Sequence, residues 1–436
     1  MSVAESSQAR PDPVELFKAY ADVAQRATAL FADYSRRYAE QHSGAAIDEF
    51  GVGRAFAELA TQMMSNPFRL AETQVRLMND YAKLWQNSML KMWGVQVEPL
   101  ATPAESDWRF KHDDWQNHFL FDYIKQSYLI AAKHLHATVT SVEGLPESSK
   151  KKVDFYTRQM IDAMSPRNFA LTNPEVLRET AASHGQNLIK GFSNLLDDLE
   201  RGEGQLKISM TDQTAFKLGE NVATTPGKVV HQTDMMQLIQ FDPSTPQVHK
   251  RPLVIFPPWI NKYYILDLRA KNSFIKWAVD QGHTVFVVSW VNPDERYADK
   301  TFDDYVRDGA VAAIDAVEKA TGEKEINAIG YCLGGTLLGS SLAYLAAKGD
   351  KRVVSATFFV ALLDFREPGD LGVFIDEQQL QALEKRMNER GFLDGSEMAG
   401  TFNLLRANDL IWSFVVNNYL MGKDPFPFDL LYWNSD

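Results

Sequence analysis

Ile326-Asn327-Ala328-Ile329-Gly330-Tyr331-Cys332-Leu333-Gly334-Gly335 is the stretch whose reading decides the fold. Four mostly apolar residues end a buried strand, Gly-x-Cys-x-Gly follows, and from Thr336 the run Leu337, Leu338, Leu342 and Leu345 has helical spacing. The order is strand, sharp turn and helix, with a nucleophilic side chain at the apex. The glycines have a steric reason: so tight a turn brings strand and helix backbones together, and a Cβ at Gly330 or Gly334 would clash. The apex residue itself is expected to be strained. Cys332 then stands at a helix N-terminus, where free N–H groups and the dipole favour the thiolate. The competing reading is a small buried cysteine packed at a strand end.

Outward from this turn, short apolar runs alternate with helical ones. Residues 228–232 and 235–241 read as a strand pair, and 253–256, 284–290, 326–329 and 355–362 as further strands. Helical stretches at 272–280, 302–319 and 336–348 separate most of them. The pattern predicts a mostly parallel sheet covered on both faces. With a nucleophile on its strand–helix turn, it is an α/β-hydrolase-type sheet, and its core is assigned to residues 205–364. Beyond it, 378–390 and 403–419 read as helices, so 365–436 is assigned as a helical lid or cap. Few strands follow the turn, and the sheet is expected to be incomplete at its C-terminal end.

The first half of the chain reads as helical. Residues 1–95 form a helical N-terminal region: Leu16, Tyr20, Val23, Ala27 and Leu30, then Phe56, Leu59, Met63 and Met64, then Leu77, Tyr81, Leu84, Leu90 and Met92 follow helical spacing. Asn66-Pro67 marks a break. This Met and aromatic stripe is read as the core face of a bundle, the alternative being a hydrophobic partner or a lipid-like surface. Pro99 and Pro103 mark a linker, and 108–204 is a second helical part. Within it Asn173-Pro174-Glu175 supplies an N-cap, a proline at N1 and an acid in the first turn of a helix expected to run to Arg201. His112, His118, His134 and His136 have no zinc-site spacing, so no metal or cofactor is assigned.

The 436 residues carry a formal net charge of −12 and no basic stripe, which argues against nucleic acid as a partner. Residues 1–13 lack the basic and apolar regions of a signal peptide. The nearly apolar run 353–363 is too short to span a bilayer. A single cysteine fits a reducing compartment, so a soluble, cytoplasmic protein is expected.

A cysteine at such a turn needs a base and donors for the oxyanion formed on acyl attack. One donor is the backbone N–H after the nucleophile, Leu333; the other belongs to the loop after an earlier strand, Phe256-Pro257-Pro258-Trp259-Ile260-Asn261-Lys262. Pro257 and Pro258 have no N–H, which leaves Trp259 or Ile260, and Ile260 is chosen. A general base in the order usual for these sheets would follow the nucleophile, yet all nine histidines precede Cys332. His283 opens a strand away from the turn and reads as structural. Asp364 reads as a cap of its loop, and Asp267 and Asn261 as structural polar residues or as groups orienting the loop. The chain is expected to be truncated before its base.

These residues resemble the polyhydroxyalkanoate synthases of the long, single-subunit class. The likeness is carried by Asn168-Phe169, Thr172-Asn173-Pro174-Glu175, Asn221-Val222-Ala223-Thr224-Thr225-Pro226-Gly227 and Pro257-Pro258-Trp259-Ile260-Asn261-Lys262-Tyr263-Tyr264-Ile265-Leu266-Asp267-Leu268. The modified lipase box Gly330-Tyr331-Cys332-Leu333-Gly334-Gly335, Leu362-Leu363-Asp364-Phe365 and Tyr432-Trp433-Asn434-Ser435-Asp436 complete it. The resemblance implies an acyltransferase in which Cys332 carries the growing polyester as a thioester, with (R)-3-hydroxyacyl-CoA as substrate and free CoA released. It also implies a homodimer joined through the lid region and attached to storage granules. The family's catalytic Asp and His correspond to no position of this chain. Two other readings stand beside it: a thioesterase or depolymerase of the same fold, and a non-catalytic granule-associated protein using its amphipathic helices.

Overall fold

The structure, a computed structural model, describes residues 51–260, 262–393 and 395–435, with 18, 21–23, 25, 26 and 30 before them. The readings at Leu16, Tyr20, Ala27, Asn261 and Asp436 lie outside the described residues. The chain forms two compact units: Met1–Met210 with Asp370–Gln379 and Phe402–Pro425, and Thr211–Gly369 with Leu380–Thr401 and Phe426–Asp436. Residues 365–436 are therefore shared between both units.

The first unit is helical. Helix α1 (Val52–Ser65) ends where Asn66 accepts from the Arg69 N–H and Pro67 opens α2 (Pro67–Met92). Tyr81 and Asp80 of α2 bond to the Ser127 carbonyl and His134 on α3 (Phe119–Thr140). The stripe read as a core face divides: Leu59 and Leu84 are buried, but Met64 and Met92 are exposed. After α4 (Glu147–Ala163), the Asn173 side chain accepts from the Glu175 and Val176 N–H groups and caps α5 (Pro174–Ala182). The helix expected to continue to Arg201 stops there. His184 and Gly185 take positive φ of 52° and 86°, and the Gly185 N–H returns to the Thr180 carbonyl before α6 (Gln186–Arg201) begins. The aromatic stretch expected as one helix over 403–419 leaves α-helical geometry at Leu405 and continues as π-helical turns at Asn408–Trp412 and Val415–Leu420.

The second unit is an α/β-hydrolase-type sheet of six strands in the order β1-β2-β4-β3-β5-β6. The strands are β1 Gly227–Gln232, β2 Met236–Phe241, β3 Leu253–Phe256, β4 Val285–Trp290, β5 Ile326–Tyr331 and β6 Val353–Phe359. β1, β2 and β4 pair antiparallel, while β4, β3, β5 and β6 run parallel. The period of two divides the apolar residues between faces. Val254, Phe256, Phe286 and Val288 pack with Ala313, Ile314, Leu337 and Leu338, while Leu253, Ile255, Val285 and Val287 pack with Ile275, Ala278 and Val279. The covering helices are α7 (Phe274–Asp280), α8 (Ala312–Thr321) and α9 (Leu333–Ala347). Residues 302–319 are not one continuous α-helix: Tyr305–Val311 is π-helical. β6 lies at the edge of the sheet and is exposed over most of its length.

The closing helix α10 (Asp429–Ser435) is fixed by one acid. Asp429, fully buried, accepts from the Arg269 N–H and Nε at 3.2 and 3.1 Å and from Asn272 Nδ2 at 2.8 Å. Burial pushes its carboxyl up, but the hydrogen bonds from Arg269 and Asn272 outweigh that and hold it below the ordinary carboxylate range. Its contribution to stability is therefore complete above about pH 4, the unfolded carboxyl value, and is lost as pH falls through the lower folded value. Asp429→Asn should lower unfolding free energy by about 1.5–3 kcal/mol at pH 7. In urea titrations the gap from the parent should narrow towards pH 3.

Candidate active site

The turn after β5 is built from absences of side chain. A Cβ on Gly334 would lie 1.9 Å from the Phe256 carbonyl oxygen and 2.7 Å from that of Pro257. A Cβ on Gly330 would lie 2.4 Å from the Gly335 Cα, and one on Gly335 would lie 2.4 Å from the Ala361 Cβ. All three are contacts real side chains never make, so strand, helix and the start of the loop after β3 meet only because these positions are glycine. The register puts the last residue of β3 beside the turn, since Phe256 pairs with Gly330.

Cys332 is half-buried and has φ 53° and ψ −124°, a conformation costly for a residue with a Cβ. The surroundings over-determine it. Its N–H donates to the Phe359 carbonyl at 2.9 Å, and its own carbonyl accepts from the Gly335 and Thr336 N–H groups at 2.9 and 3.3 Å. Thr336 Oγ1 in turn donates to the Leu362 carbonyl. Helix α9 begins at Leu333, three residues earlier than its spacing suggested, so Cys332 is the N-cap and the Leu333 N–H has no intrahelical acceptor. Burial, with the Cys332 side chain beside it, pushes the neighbouring Tyr331 phenol up.

The loop 257–262 leaves β3 directly against Gly334. Pro257 and Pro258 are buried, and Trp259 and Ile260 are half-buried. The Trp259 ring stacks on Tyr305 at 4.7 Å and meets the edge of Trp290 at 6.2 Å. The turn and the loop that carries Ile260 are thus neighbours. Asp267, almost fully buried, accepts from Thr225 Oγ1 and Ser273 Oγ, each at 2.6 Å, and ties the segment Asn221-Val222-Ala223-Thr224-Thr225 to the stretch that follows this loop. That gives it a structural part.

Asp364 accepts from the N–H and Nε of Arg366, which holds its carboxyl below the usual range; it caps its own loop. His283 lies against His249 with the rings tilted at 43°, just before β4 and at the end of the strand remote from the turn, and burial lowers its pKa. Among the described residues no three His, Cys, Asp or Glu side chains are grouped to hold a metal ion. The sequence reading gives Gly335 and Trp290 no role of their own. Gly335 was legible from its place in the turn; the part played by Trp290 has no local signature.

The family model described as the poly-beta-hydroxybutyrate polymerase N-terminus matches residues 106–278. A poly(3-hydroxyalkanoate) polymerase of Methylorubrum extorquens is 50% identical over 390 residues, covering 89% of this chain and 64% of that one. Polymerase subunits of Rhizobium meliloti and Cupriavidus necator are 47% and 42% identical, covering 95% and 85% of this chain and 69% and 62% of theirs. The chain thus spans about two thirds of the length of these relatives.

Two glycines of α9 separate steric need from helix propensity. Gly334→Ala drives a Cβ into fixed backbone and should cost about 3 kcal/mol or more. Gly339→Ala meets only the end of the exposed Leu363 side chain, and should be neutral or gain up to about 1 kcal/mol of helix propensity. Urea denaturation of the two variants beside the parent measures the difference.

Proposed function

The chain belongs to the poly(3-hydroxyalkanoate) polymerase family, and from that membership we propose that it carries the acyl-transfer centre of such an enzyme, with Cys332 as nucleophile. What supports this is one geometric observation: a cysteine at positive φ, capping a helix, on a turn whose glycine abuts the loop after β3. In the proposed reaction the Cys332 sulfur, as thiolate, attacks the thioester carbonyl of an (R)-3-hydroxyacyl-CoA. The carbonyl π pair moves to oxygen, and that oxyanion accepts hydrogen bonds from the Leu333 N–H and from the Ile260 N–H of the 257–262 loop. Collapse breaks the bond to the CoA sulfur, which leaves as a thiolate and takes up a proton.

The acyl group now rests on Cys332 as a thioester. Exchange between two thiols is nearly isoenergetic, and the acyl carbon stays reactive to the hydroxyl of a further 3-hydroxyacyl unit. Attack by that hydroxyl forms the ester and breaks the bond between the acyl carbon and the Cys332 sulfur, and the hydroxyl's proton passes by way of a base to the departing sulfur. None of the nine histidines is assigned as the base that receives the proton, since all precede the turn in the chain. The same proposal makes the protein a homodimer that attaches to the polymer granule as it grows. Among the described residues no helix is long and apolar enough to cross a membrane.

Incubation with (R)-3-hydroxybutyryl-CoA should consume the thioester and release CoA, and Cys332→Ala should reduce release to the uncatalysed background. Product analysis separates the chemistries: polyester supports the proposal, and soluble 3-hydroxybutyrate alone points to a hydrolase. Equal release by parent and Cys332→Ala would remove the nucleophile from the account.

A further inference from the structure

The loop 257–262 is tied at both ends by tryptophan N–H groups that come from distant parts of the chain. At its start, Trp290 Nε1 donates to the Pro257 carbonyl at 2.8 Å. At its end, Trp433 Nε1 donates to the Lys262 carbonyl at 2.7 Å. We propose that these two indoles form a positioning clamp that sets the loop's peptide N–H groups at the height of the acyl oxygen on Cys332. The inference rests on the reading of Cys332 as the acylated residue.

Chemistry explains why the loop needs such ties. Pro257 and Pro258 have no N–H, so at its start the loop can be held only through carbonyl oxygens. A donor from outside must supply the bond, and an indole N–H is a donor only, carried on a large rigid ring that fixes its direction. The Pro257 oxygen that accepts from Trp290 is also one of the two that would lie within 3 Å of a Cβ on Gly334. Trp290 therefore restrains the same peptide group that abuts the nucleophile turn.

Both tryptophans are themselves immobilised. Trp290 ends β4, is 9% exposed, and has Tyr305 and Trp259 against its ring at 5.5 and 6.2 Å. A Cβ on Gly309 would lie 2.7 Å from two carbons of that ring, so the space the indole occupies exists because position 309 has no side chain. Trp433 lies on α10, which is anchored by Asp429 on Arg269 and Asn272 and by Tyr432 against Phe216 at 5.1 Å. Between the two ties, Trp259 stacks on Tyr305. Three aromatic contacts thus hold a segment of six residues, far more restraint than a surface connection requires. An oxyanion donor is effective only when it is fixed before the charge develops, and a displacement of about 1 Å costs on the order of 10²-fold in rate.

The test removes each N–H donor and leaves a smaller aromatic ring in its place. Trp290→Phe and Trp433→Phe are compared with the parent in two reactions of Cys332. Acylation by (R)-3-hydroxybutyryl-CoA passes through an oxyanion; alkylation by iodoacetamide displaces iodide and forms none. The clamp predicts that each variant acylates about tenfold more slowly or worse, with KM little changed. The alkylation rate should stay near the parent's, while the melting temperature falls only by what the cavity beside the smaller ring costs. If the parent acylates and both variants match it, the clamp is overturned. If acylation and alkylation fall by the same factor, the tryptophans are only structural and the clamp is likewise overturned. If the parent forms no acyl-Cys332, the reading of the nucleophile fails, and the clamp with it.

Discussion

The position where a Cβ of Gly334 would sit is occupied by the carbonyl oxygen of Phe256, 1.9 Å away. This one close approach organises the sheet unit. It joins the first turn of α9 to the last peptide of β3, and so puts the start of the 257–262 loop against the turn after β5. It also leaves Cys332 little choice of conformation, because a chain reversing between β5 and so close a helix must pass through positive φ. The strain is held by bonds on either side: the Cys332 N–H extends the pairing with β6 at Phe359, and its carbonyl opens the hydrogen-bond series of α9. Strain of this kind persists only where the structure around it is over-determined, and here sheet register, helix and loop agree.

Much of this was legible because it is written in short-range pattern. The apolar runs of β3, β4 and β5 and the spacing of Leu337, Leu338 and Leu345 read correctly as buried strands and a helix, since burial on both faces leaves continuous apolar residues. The Gly-x-Cys-x-Gly turn was legible for the same reason: the glycines have no other use there. Boundaries were less so. The sequence gives no sign that Ser183-His184-Gly185 ends one helix and begins another until the left-handed pair is seen. Nor does periodicity distinguish π-helical from α-helical turns in 305–311. The ties on the 257–262 loop were illegible in principle, because donor and acceptor are 33 and 171 residues apart and the acceptor is a backbone carbonyl that every residue has.

The two units differ in what their polar groups do. In the helical unit the half-buried Arg109 is held by Asp107 and Asp162, and the buried Asp198 takes bonds from Tyr419, Ser209 and Arg201, so its ions tie helices and turns to one another. In the sheet unit the buried acids Asp267 and Asp429 instead anchor the connection between β3 and α7, whose first residues adjoin the turn after β5. Structural polar groups there hold one connection in place.

The account stands or falls on the sulfur of Cys332. Rapid quenching of the protein with (R)-3-hydroxybutyryl-CoA, followed by peptide mass mapping, tests it most directly. The expected result is a single hydroxybutyryl group on the peptide containing Tyr331-Cys332-Leu333, removed by neutral hydroxylamine as a thioester is. An acyl group on any other residue, or CoA released while that peptide stays unmodified, would contradict it.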